Sequence, residues 1–325
     1  MAKVLKDILQ GFGNTPVVQL NKVTRGVRPK IFAKLEMMNP GGSVKDRIAS
    51  YIVSDAEKKG LIKRGSTIIE PTSGNTGVGL AQLAAVKGYK VIFTMPDKVS
   101  EEKRALLRAY GAKLVMAPTD LPPDSPKHYV NVAKKLKRET KNSFLPNQYE
   151  NMGNPRAHYA TTGPEIWEQM GGQLDAFVAG IGTGGTISGA GRYLKRKNRR
   201  IVIVGVEPEG SMYYNEKYGT DFPLHTYKVE GIGEDFLPRT YDSKIPDVIQ
   251  RVTDQESFVM TRRLAREEGI LAGGSSGTAV AGCLKFAKER SELKKIVVLL
   301  PDTGRNYLSK IFNDEWMKSQ GYRPK

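Results

Sequence analysis

The chain has 325 residues, of which 39% are hydrophobic, so it can form a large core or two lobes. Its formal net charge is +17, but the basic runs fit predicted helix surfaces and ends, and no RNA-binding signature accompanies them, so we expect no nucleic-acid partner. The chain has no apolar run of membrane-spanning length, no signal peptide and one cysteine, Cys283, which we interpret as a core residue. These features predict a cytoplasmic protein without a membrane partner.

Short apolar runs alternate with helical patterns along the chain. A first helix is predicted near Lys45, because apolar residues recur at helical spacing from Val44 onwards. Strands are predicted at 66–71, 89–96, 112–118, 175–182, 201–208 and 294–301, and helices at 77–88, 100–111 and 187–197. This alternation predicts a mainly parallel α/β fold with ligands at the carboxyl ends of the strands. The turn-rich stretches 121–129 and 145–159 predict the junction between two lobes.

The stretch NPGGSVKDRIAS (39–50) places Lys45 on the first turn of the predicted helix. A helix N-terminus carries partial positive charge and is therefore an unfavourable place for a cation. A solvated lysine whose aliphatic stem covers the helix is one interpretation. The other is a lysine with a lowered pKa whose neutral amine attacks a carbonyl group. These residues alone leave both interpretations open.

The loop EPTSGNTG (70–77) joins a predicted strand to a helix and is rich in hydrogen-bond donors. Such a loop can bind a carboxylate with backbone N–H groups and hydroxyls, although ordinary helix capping also uses these residue types. The donors exceed what a cap requires, so we favour a carboxylate site. The side chains concerned surround Gly74 and are Thr72, Ser73, Asn75 and Thr76.

The sequence GIGTGG (180–185) formally satisfies G-x-G-x-x-G between a strand and a helix, and Glu207 lies near the distance at which a dinucleotide site places its ribose acid. A dehydrogenase that binds NAD is therefore an alternative. A lone glycine pattern is weak, however, because any tight strand-to-helix turn favours glycine. Such a loop supplies backbone N–H groups that bind a phosphate, and Thr183 and Thr186 add hydroxyl donors.

The sequence GGSSG (273–277) matches a nucleophile elbow around Ser275, but the three histidines all precede it, so a hydrolase triad is not expected. The same histidines are far apart in sequence, and no metal site is expected. An amine at Lys45, a phosphate site, a carboxylate site and the Ser275 hydroxyl together fit pyridoxal 5′-phosphate and an amino acid. Lys45 is then placed to form a Schiff base with the cofactor aldehyde.

The sequence resembles the cysteine synthase/cystathionine β-synthase family of fold-type II pyridoxal-phosphate enzymes. The resemblance covers nearly the whole chain and is carried by GNTPVVQL, NPGGSVKDR, EPTSGNTGVGLA, NQYENMGNPRAHYATTGPEI, GIGTGGTISG, GVEPEGS, VEGIGEDFLP, GGSSG and LPDTGRNYLSKIFNDEW. It implies a tryptophan synthase β-like α/β fold with two doubly wound open-sheet subdomains, the active site between them, and a homodimer.

The resemblance further implies that 41–150 form a smaller, substrate-closing subdomain, and that 1–40 and 151–325 form a larger subdomain that binds the cofactor phosphate. A single catalytic unit is expected, without a haem segment or a C-terminal regulatory module.

The resemblance also assigns roles to residues. Lys45 forms the Schiff base and acts as base and acid at the substrate α-carbon, Asn75 binds the 3′-oxygen of the cofactor, and Ser275 meets the pyridine nitrogen. The cofactor phosphate is held by Gly182, Thr183, Gly184, Gly185 and Thr186. The amino-acid carboxylate is bound by Thr72, Ser73, Gly74, Thr76 and Gln148.

The implied reaction is β-replacement on L-serine or O-acetyl-L-serine, and the stretches VEGIGEDFLP and RNYLSKIFNDEW favour L-homocysteine as the thiol, which gives L-cystathionine. Cysteine synthase, which uses sulfide, is the alternative. Glu234 stands where the animal and yeast enzymes are expected to have tyrosine. Its carboxylate can attract the ammonium group of homocysteine, or it can be an exposed loop acid; both remain open.

Overall fold

The computed structural model describes residues 4–119, 121, 122 and 124–325. The chain divides into two compact units. The first, called the small unit, comprises Met1–Gly13 and Asn39–Gly153. The second, called the large unit, comprises Asn14–Met38 and Asn154–Lys325.

Strands and helices alternate through most of the described chain. The strands are β1 (Val17–Gln19), β2 (Lys30–Leu35), β3 (Thr67–Pro71), β4 (Lys90–Pro96), β5 (Lys113–Ala117), β6 (Ser143–Phe144), β7 (Ala176–Gly180), β8 (Val202–Pro208), β9 (Val248–Val252) and β10 (Lys295–Leu300). The helices are α1 (Lys45–Lys58), α2 (Asn75–Lys87), α3 (Glu101–Ala109), α4 (Tyr129–Glu139), α5 (Gly153–Ala160), α6 (Thr162–Gln169), α7 (Gly185–Lys197), α8 (Tyr213–Tyr218), α9 (Asp254–Glu268), α10 (Gly274–Glu289) and α11 (Asp314–Ser319). Short 3-10 turns occur at Ile8–Gly11, Glu36–Met38 and Gly304–Tyr307.

The small unit contains a parallel sheet in the order β5-β4-β3-β6. Its central strands are apolar runs without alternation, as expected of strands covered on both faces, and Ile68, Ile69 and Phe93 are fully buried. Helices α1 and α2 contribute Val53 and Leu80 to the same core. The parallel arrangement places the loop after β3 at the carboxyl edge of this sheet.

The large unit contains a sheet in the order β1-β2-β10-β7-β8-β9, in which β1 pairs antiparallel with β2 and the other neighbours are parallel. Its core includes Val178, Val204 and Val298 from adjacent strands. Cys283 of α10 is also part of this core, and burial raises the pKa of its thiol. The prediction that Cys283 is a core residue and not a nucleophile is confirmed.

The predicted strands and helices are confirmed, with two differences in the organisation of the chain. The stretch 145–159 was predicted as a loop, but α5 begins within it at Gly153. The predicted junction at 121–129 includes residue 123, which lies outside the described residues, and the observed division falls at Gly153 and Asn154.

The N-terminal segment was predicted to belong with the larger subdomain, whereas residues 4–13 belong to the small unit. The reason is that Leu9 packs against the core of the small unit. Asn39 also belongs to the small unit, where its side-chain oxygen accepts a hydrogen bond from Gly13 N over 2.8 Å.

Candidate active site

Lys45 is the first residue of α1 and is half-buried in the small unit. The first turn of α1 lies close to α2, because a Cβ placed on Gly79 would be only 3.2 Å from the Asp46 Cα. The Asp46 carboxylate accepts a hydrogen bond from Gly41 N over 2.6 Å and fixes the glycine turn before the helix. The fold therefore holds Lys45 in place near the beginning of α2.

The loop after β3 leads directly into α2, with Gly74 as the helix N-cap. Thr72 Oγ1 accepts a hydrogen bond from Gly74 N over 3.4 Å, and Thr72 and Thr76 are buried. A Cβ added to Gly74 would meet no atom within 4 Å. The loop thus combines the N–H groups of a helix N-terminus with an open surface, which suits a bound carboxylate.

Gln148 is brought to this loop although it is distant in sequence. Thr76 Oγ1 donates a hydrogen bond to Gln148 Oε1 over 2.6 Å, and both side chains are buried. The structure therefore joins two of the residues assigned to the amino-acid carboxylate, and both belong to the small unit together with Lys45 and Asn75.

The glycine loop of the large unit connects the end of β7 to the beginning of α7. Gly184 has a φ of 77°, a left-handed conformation that favours glycine. A Cβ on Gly185 would lie 1.8 Å from Asn154 Oδ1, and one on Gly182 would lie 2.6 Å from the Gly231 oxygen. The backbone therefore needs glycine at 182 and 184, and a side chain at 185 would displace the Asn154 side chain.

The hydroxyls of the glycine loop are held by α5, which sequence reasoning missed. Asn154 Nδ2 donates to Thr183 Oγ1 over 2.9 Å, and His158 Nε2 lies 3.2 Å from Thr186 Oγ1. Asn154 and His158 are four residues apart on the helix and therefore share one face. This spacing was the available signal, but it has meaning only once the segment is known to be helical.

The carbonyl groups of the loop are satisfied by hydroxyls. The Tyr213 hydroxyl donates to the Gly182 oxygen over 2.5 Å, and Thr240 Oγ1 donates to the Thr183 oxygen over 2.6 Å. This leaves backbone N–H groups at the start of α7, where the helix dipole favours an anion. A loop that presents backbone N–H and hydroxyl groups at a helix N-terminus fits the phosphate of pyridoxal 5′-phosphate.

Ser275 lies at the same edge of the large sheet as the glycine loop. It is the second residue of α10 and is 3% exposed. Gly273 N, at the helix N-cap, donates a hydrogen bond to the backbone oxygen of Asp302, which follows β10. Strand β10 is the parallel neighbour of β7. The start of α10 is thus bonded to the segment that follows the carboxyl end of β10, and the glycine loop follows the carboxyl end of the adjacent strand β7.

Glu234 is half-buried on a loop that contacts the glycine loop. Gly233 N donates to the Ile181 oxygen over 2.7 Å, and Gly231 is the residue that approaches Gly182. Ser211 Oγ accepts from Glu234 N over 3.0 Å. The backbone at Glu234 is therefore fixed beside the glycine loop within the large unit.

Glu207 does not have the geometry of a ribose-binding acid. Its side chain is fully buried, and its carboxylate accepts hydrogen bonds from Tyr213 N over 2.8 Å and from Tyr214 N over 3.1 Å. A carboxylate occupied in this way inside the protein cannot hold a ribose. The dinucleotide interpretation of the glycine loop is therefore not supported.

The described residues contain no group of three or more His, Cys, Asp or Glu side chains that could hold a metal ion. Among the described helices, none is long and apolar enough to cross a membrane.

The chain matches the pyridoxal-phosphate dependent enzyme family over residues 8–302 and belongs to it. It is 49% identical over 322 residues to cystathionine beta-synthase from Apis mellifera, an alignment that covers 98% of this chain and 64% of that protein. The proteins of the same name from Oryctolagus cuniculus and Saccharomyces cerevisiae are 49% and 46% identical, over 98% and 96% of this chain and 58% and 64% of their own lengths. The chain thus spans less than two thirds of the length of these relatives.

A crystal structure of a hydrogen sulfide-producing enzyme from Fusobacterium nucleatum has the same fold. It superposes with a TM-score of 0.87 at 38% identity and covers 94% of this chain and 98% of its own. The prediction of a fold-type II pyridoxal-phosphate enzyme is confirmed. Because the chain belongs to the pyridoxal-phosphate dependent enzyme family, the alternative of an NAD-dependent dehydrogenase is rejected.

Proposed function

We propose that the protein catalyses pyridoxal-phosphate-dependent β-replacement, in which L-serine and L-homocysteine give L-cystathionine and water. With O-acetyl-L-serine the leaving group is acetate. The observation that carries this proposal is the 46–49% identity, over nearly the whole chain, to proteins named cystathionine beta-synthase.

Four parts of the chain would hold the cofactor. Lys45 would bind the aldehyde carbon and Asn75 the 3′-oxygen, both from the small unit. The 182–186 loop would hold the phosphate and Ser275 the ring nitrogen, both from the large unit. The bound cofactor supplies a conjugated ring that stabilises negative charge at the α-carbon of an amino acid. A neutral serine hydroxyl at the ring nitrogen favours elimination and replacement over reactions that need a long-lived carbanion.

The small unit would bind and orient the amino acid. The start of α2 and the Thr76–Gln148 pair would bind its carboxylate, in a site where donors converge from the loop and from residue 148. Ser73 and Gly74 would add donors from the loop itself. With the carboxylate fixed, Lys45 Nζ would take the proton from the α-carbon and later return it.

Glu234 would select the thiol. A carboxylate at this position attracts the ammonium group of homocysteine and offers nothing to sulfide. Its support is its place beside the glycine loop, through the contact of Gly233 with Ile181.

A second candidate activity uses sulfide. The neighbour at 38% identity is named a hydrogen sulfide-producing enzyme, and the same active-site residues would serve cysteine synthase or the release of sulfide from cysteine. The two activities differ only in which thiol enters and which group leaves.

We further propose a cytoplasmic homodimer. The single cysteine is buried in the α10 core, which suits a reducing compartment. The dimer rests on the resemblance to the family.

Product analysis by mass spectrometry tests the function. Purified enzyme is incubated with each pair of donor (serine, O-acetylserine or cysteine) and thiol (homocysteine or sulfide). The proposal predicts cystathionine as the main product when homocysteine is present. Rapid cysteine formation without cystathionine would favour the sulfide-using candidate, and no product from any pair would contradict β-replacement.

A further inference from the structure

Two strands, one in each unit, end in the same dipeptide. β3 ends with Glu70-Pro71 in the small unit, and β8 ends with Glu207-Pro208 in the large unit. Glu70 is 1% exposed and Glu207 is 0% exposed. Burying a carboxylate is costly unless hydrogen bonds compensate it, so the partners of each one show what the burial achieves.

Glu70 fixes the backbone at Gln148. Its carboxylate accepts hydrogen bonds from Asn147 N over 2.7 Å and from Gln148 N over 3.1 Å. Asn147 has a φ of 50°, an uncommon conformation for a residue other than glycine, and the hydrogen bond from its N–H to Glu70 helps to hold it. The next contact in the series is the hydrogen bond from Thr76 to Gln148 Oε1. Glu70 therefore acts on the carboxylate site indirectly, because it fixes the backbone of Gln148.

Glu207 fixes Tyr213 in the same way. It accepts from Tyr213 N and Tyr214 N, the first two N–H groups of α8, which have no partner within the helix. The Tyr213 hydroxyl then donates to the Gly182 oxygen in the glycine loop. Arg251 Nε lies 3.9 Å from Glu207 Oε1 and adds an opposite charge. Glu207 therefore acts on the phosphate site through a buried tyrosine.

We propose that Glu70 and Glu207 are paired positioning residues, Glu70 for the amino-acid carboxylate site and Glu207 for the cofactor phosphate site. The proposal rests on the proposed function for the identity of the two sites. In each unit a buried carboxylate at the end of a strand accepts two consecutive backbone N–H groups, and the side chain of one of those residues contacts a ligand-binding loop. Neither glutamate needs to touch substrate or cofactor.

The pKa values agree with this geometry. Burial raises the pKa of the Glu70 carboxyl to about 7, against the effect of its two backbone hydrogen bonds. Burial likewise raises the pKa of the Glu207 carboxyl to about 7, and the hydrogen bonds and Arg251 oppose this. In both cases the hydrogen bonds only partly offset the burial.

The test compares Glu70→Gln with Glu207→Gln in the holoenzyme, and each variant serves as the matched control for the other. Glutamine keeps the shape of the side chain but replaces one accepting oxygen by an NH₂ group, so one of the two N–H groups loses its acceptor. Two constants are measured: the dissociation constant of pyridoxal phosphate from titration of the apoprotein, and that of serine from the absorbance change of the holoenzyme. Far-UV circular dichroism checks the fold.

The proposal predicts a crossed result. Glu70→Gln should weaken serine binding about ten-fold and leave the cofactor constant within about two-fold. Glu207→Gln should weaken cofactor binding by a similar factor, with serine binding at saturating cofactor within about two-fold. Equal losses of both constants in both variants, or no change in either, would overturn the proposal.

A further variant in each unit tests the role of its glutamate independently. Tyr213→Phe removes only the hydroxyl that contacts Gly182, so it should reproduce the cofactor defect even if Glu207→Gln does not fold. In the small unit, Glu70→Gln combined with Thr76→Val should bind serine no more weakly than Thr76→Val alone, because both act through Gln148. Additive losses would overturn the role of Glu70. If the wild type binds cofactor but no amino acid, the proposed function fails. The effect of Glu207→Gln on the dissociation constant of the cofactor can still be measured in that case.

Discussion

Thr76 Oγ1 and Gln148 Oε1 lie 2.6 Å apart although 72 residues separate them in sequence. The bond links the first turn of α2 to the segment after β6, and in it the Thr76 hydroxyl holds the side-chain amide of Gln148. The proposed function assigns both residues to the amino-acid carboxylate site.

Thr76→Val should weaken amino-acid binding and leave the cofactor bound. The substitution keeps the shape of the side chain and removes the hydroxyl that holds Gln148. The hydrogen bond from Gln148 to the carboxylate is thereby weakened, and a hydrogen bond to a charged group is worth about 1.5–3 kcal/mol, or about ten-fold or more in affinity. Titration of the holoenzyme with serine and O-acetylserine measures the change. Thr76→Ser keeps the hydroxyl and should retain most of the affinity. Unchanged titrations with Thr76→Val would remove this residue from the site.

Gly185→Ala should weaken cofactor binding. Its Cβ would lie 1.8 Å from Asn154 Oδ1, so the Asn154 side chain, which holds the Thr183 hydroxyl, must move. Overpacking of this kind costs about 1–3 kcal/mol, which corresponds to about ten-fold in the dissociation constant of the cofactor. Gly74→Ala is the control, because a Cβ there meets nothing within 4 Å, and it should retain cofactor affinity. Equal cofactor affinity in Gly185→Ala and wild type would contradict the phosphate assignment.

Glu70→Gln should change how the stability of the protein depends on pH. The pKa of Glu70 is about 7 in the folded protein against 4.5 as the ordinary value, so the folded state binds more protons between these limits. The contribution of Glu70 to stability is therefore present below about pH 4.5 and is lost as the pH rises through about 7. The free energy of unfolding of the wild type, minus that of the variant, should fall by up to about 3 kcal/mol over this range.

Urea unfolding at a series of pH values measures this difference. Glu168→Gln, at an exposed position of α6, controls for the removal of one carboxylate. A difference that rises with pH would show that the Glu70 carboxyl is stabilised as the anion and would contradict the prediction.

Glu234→Gln should raise the KM for homocysteine several-fold and spare turnover with sulfide, because only homocysteine carries an ammonium group that the carboxylate can attract. Steady-state kinetics with both thiols measure the effect. Asp235→Asn removes the same charge at the adjacent, exposed position and should have little effect on either thiol. Equal losses with homocysteine and sulfide in Glu234→Gln would exclude Glu234 from the thiol site.

The sequence predicted the parallel strands and the loops that follow β3 and β7, because apolar runs and glycine-rich turns are local signals. It did not reveal the residues that support these loops. Glu70, Asn154 and Tyr213 act through contacts that only the folded chain brings together, and nothing in their local spacing indicates their partners. The repeated Glu-Pro at two strand ends was visible in sequence, but its meaning depends on burial.

Reduction of the holoenzyme with sodium borohydride, followed by proteolysis and mass spectrometry, tests the central claim most directly. Borohydride fixes the cofactor on the amine that holds it. We predict one modified peptide, with the cofactor on Lys45, and no modified peptide from Lys45→Arg. Modification of a different lysine, such as the buried Lys34 of β2, would contradict the assignment of Lys45 and the account of the site built around it.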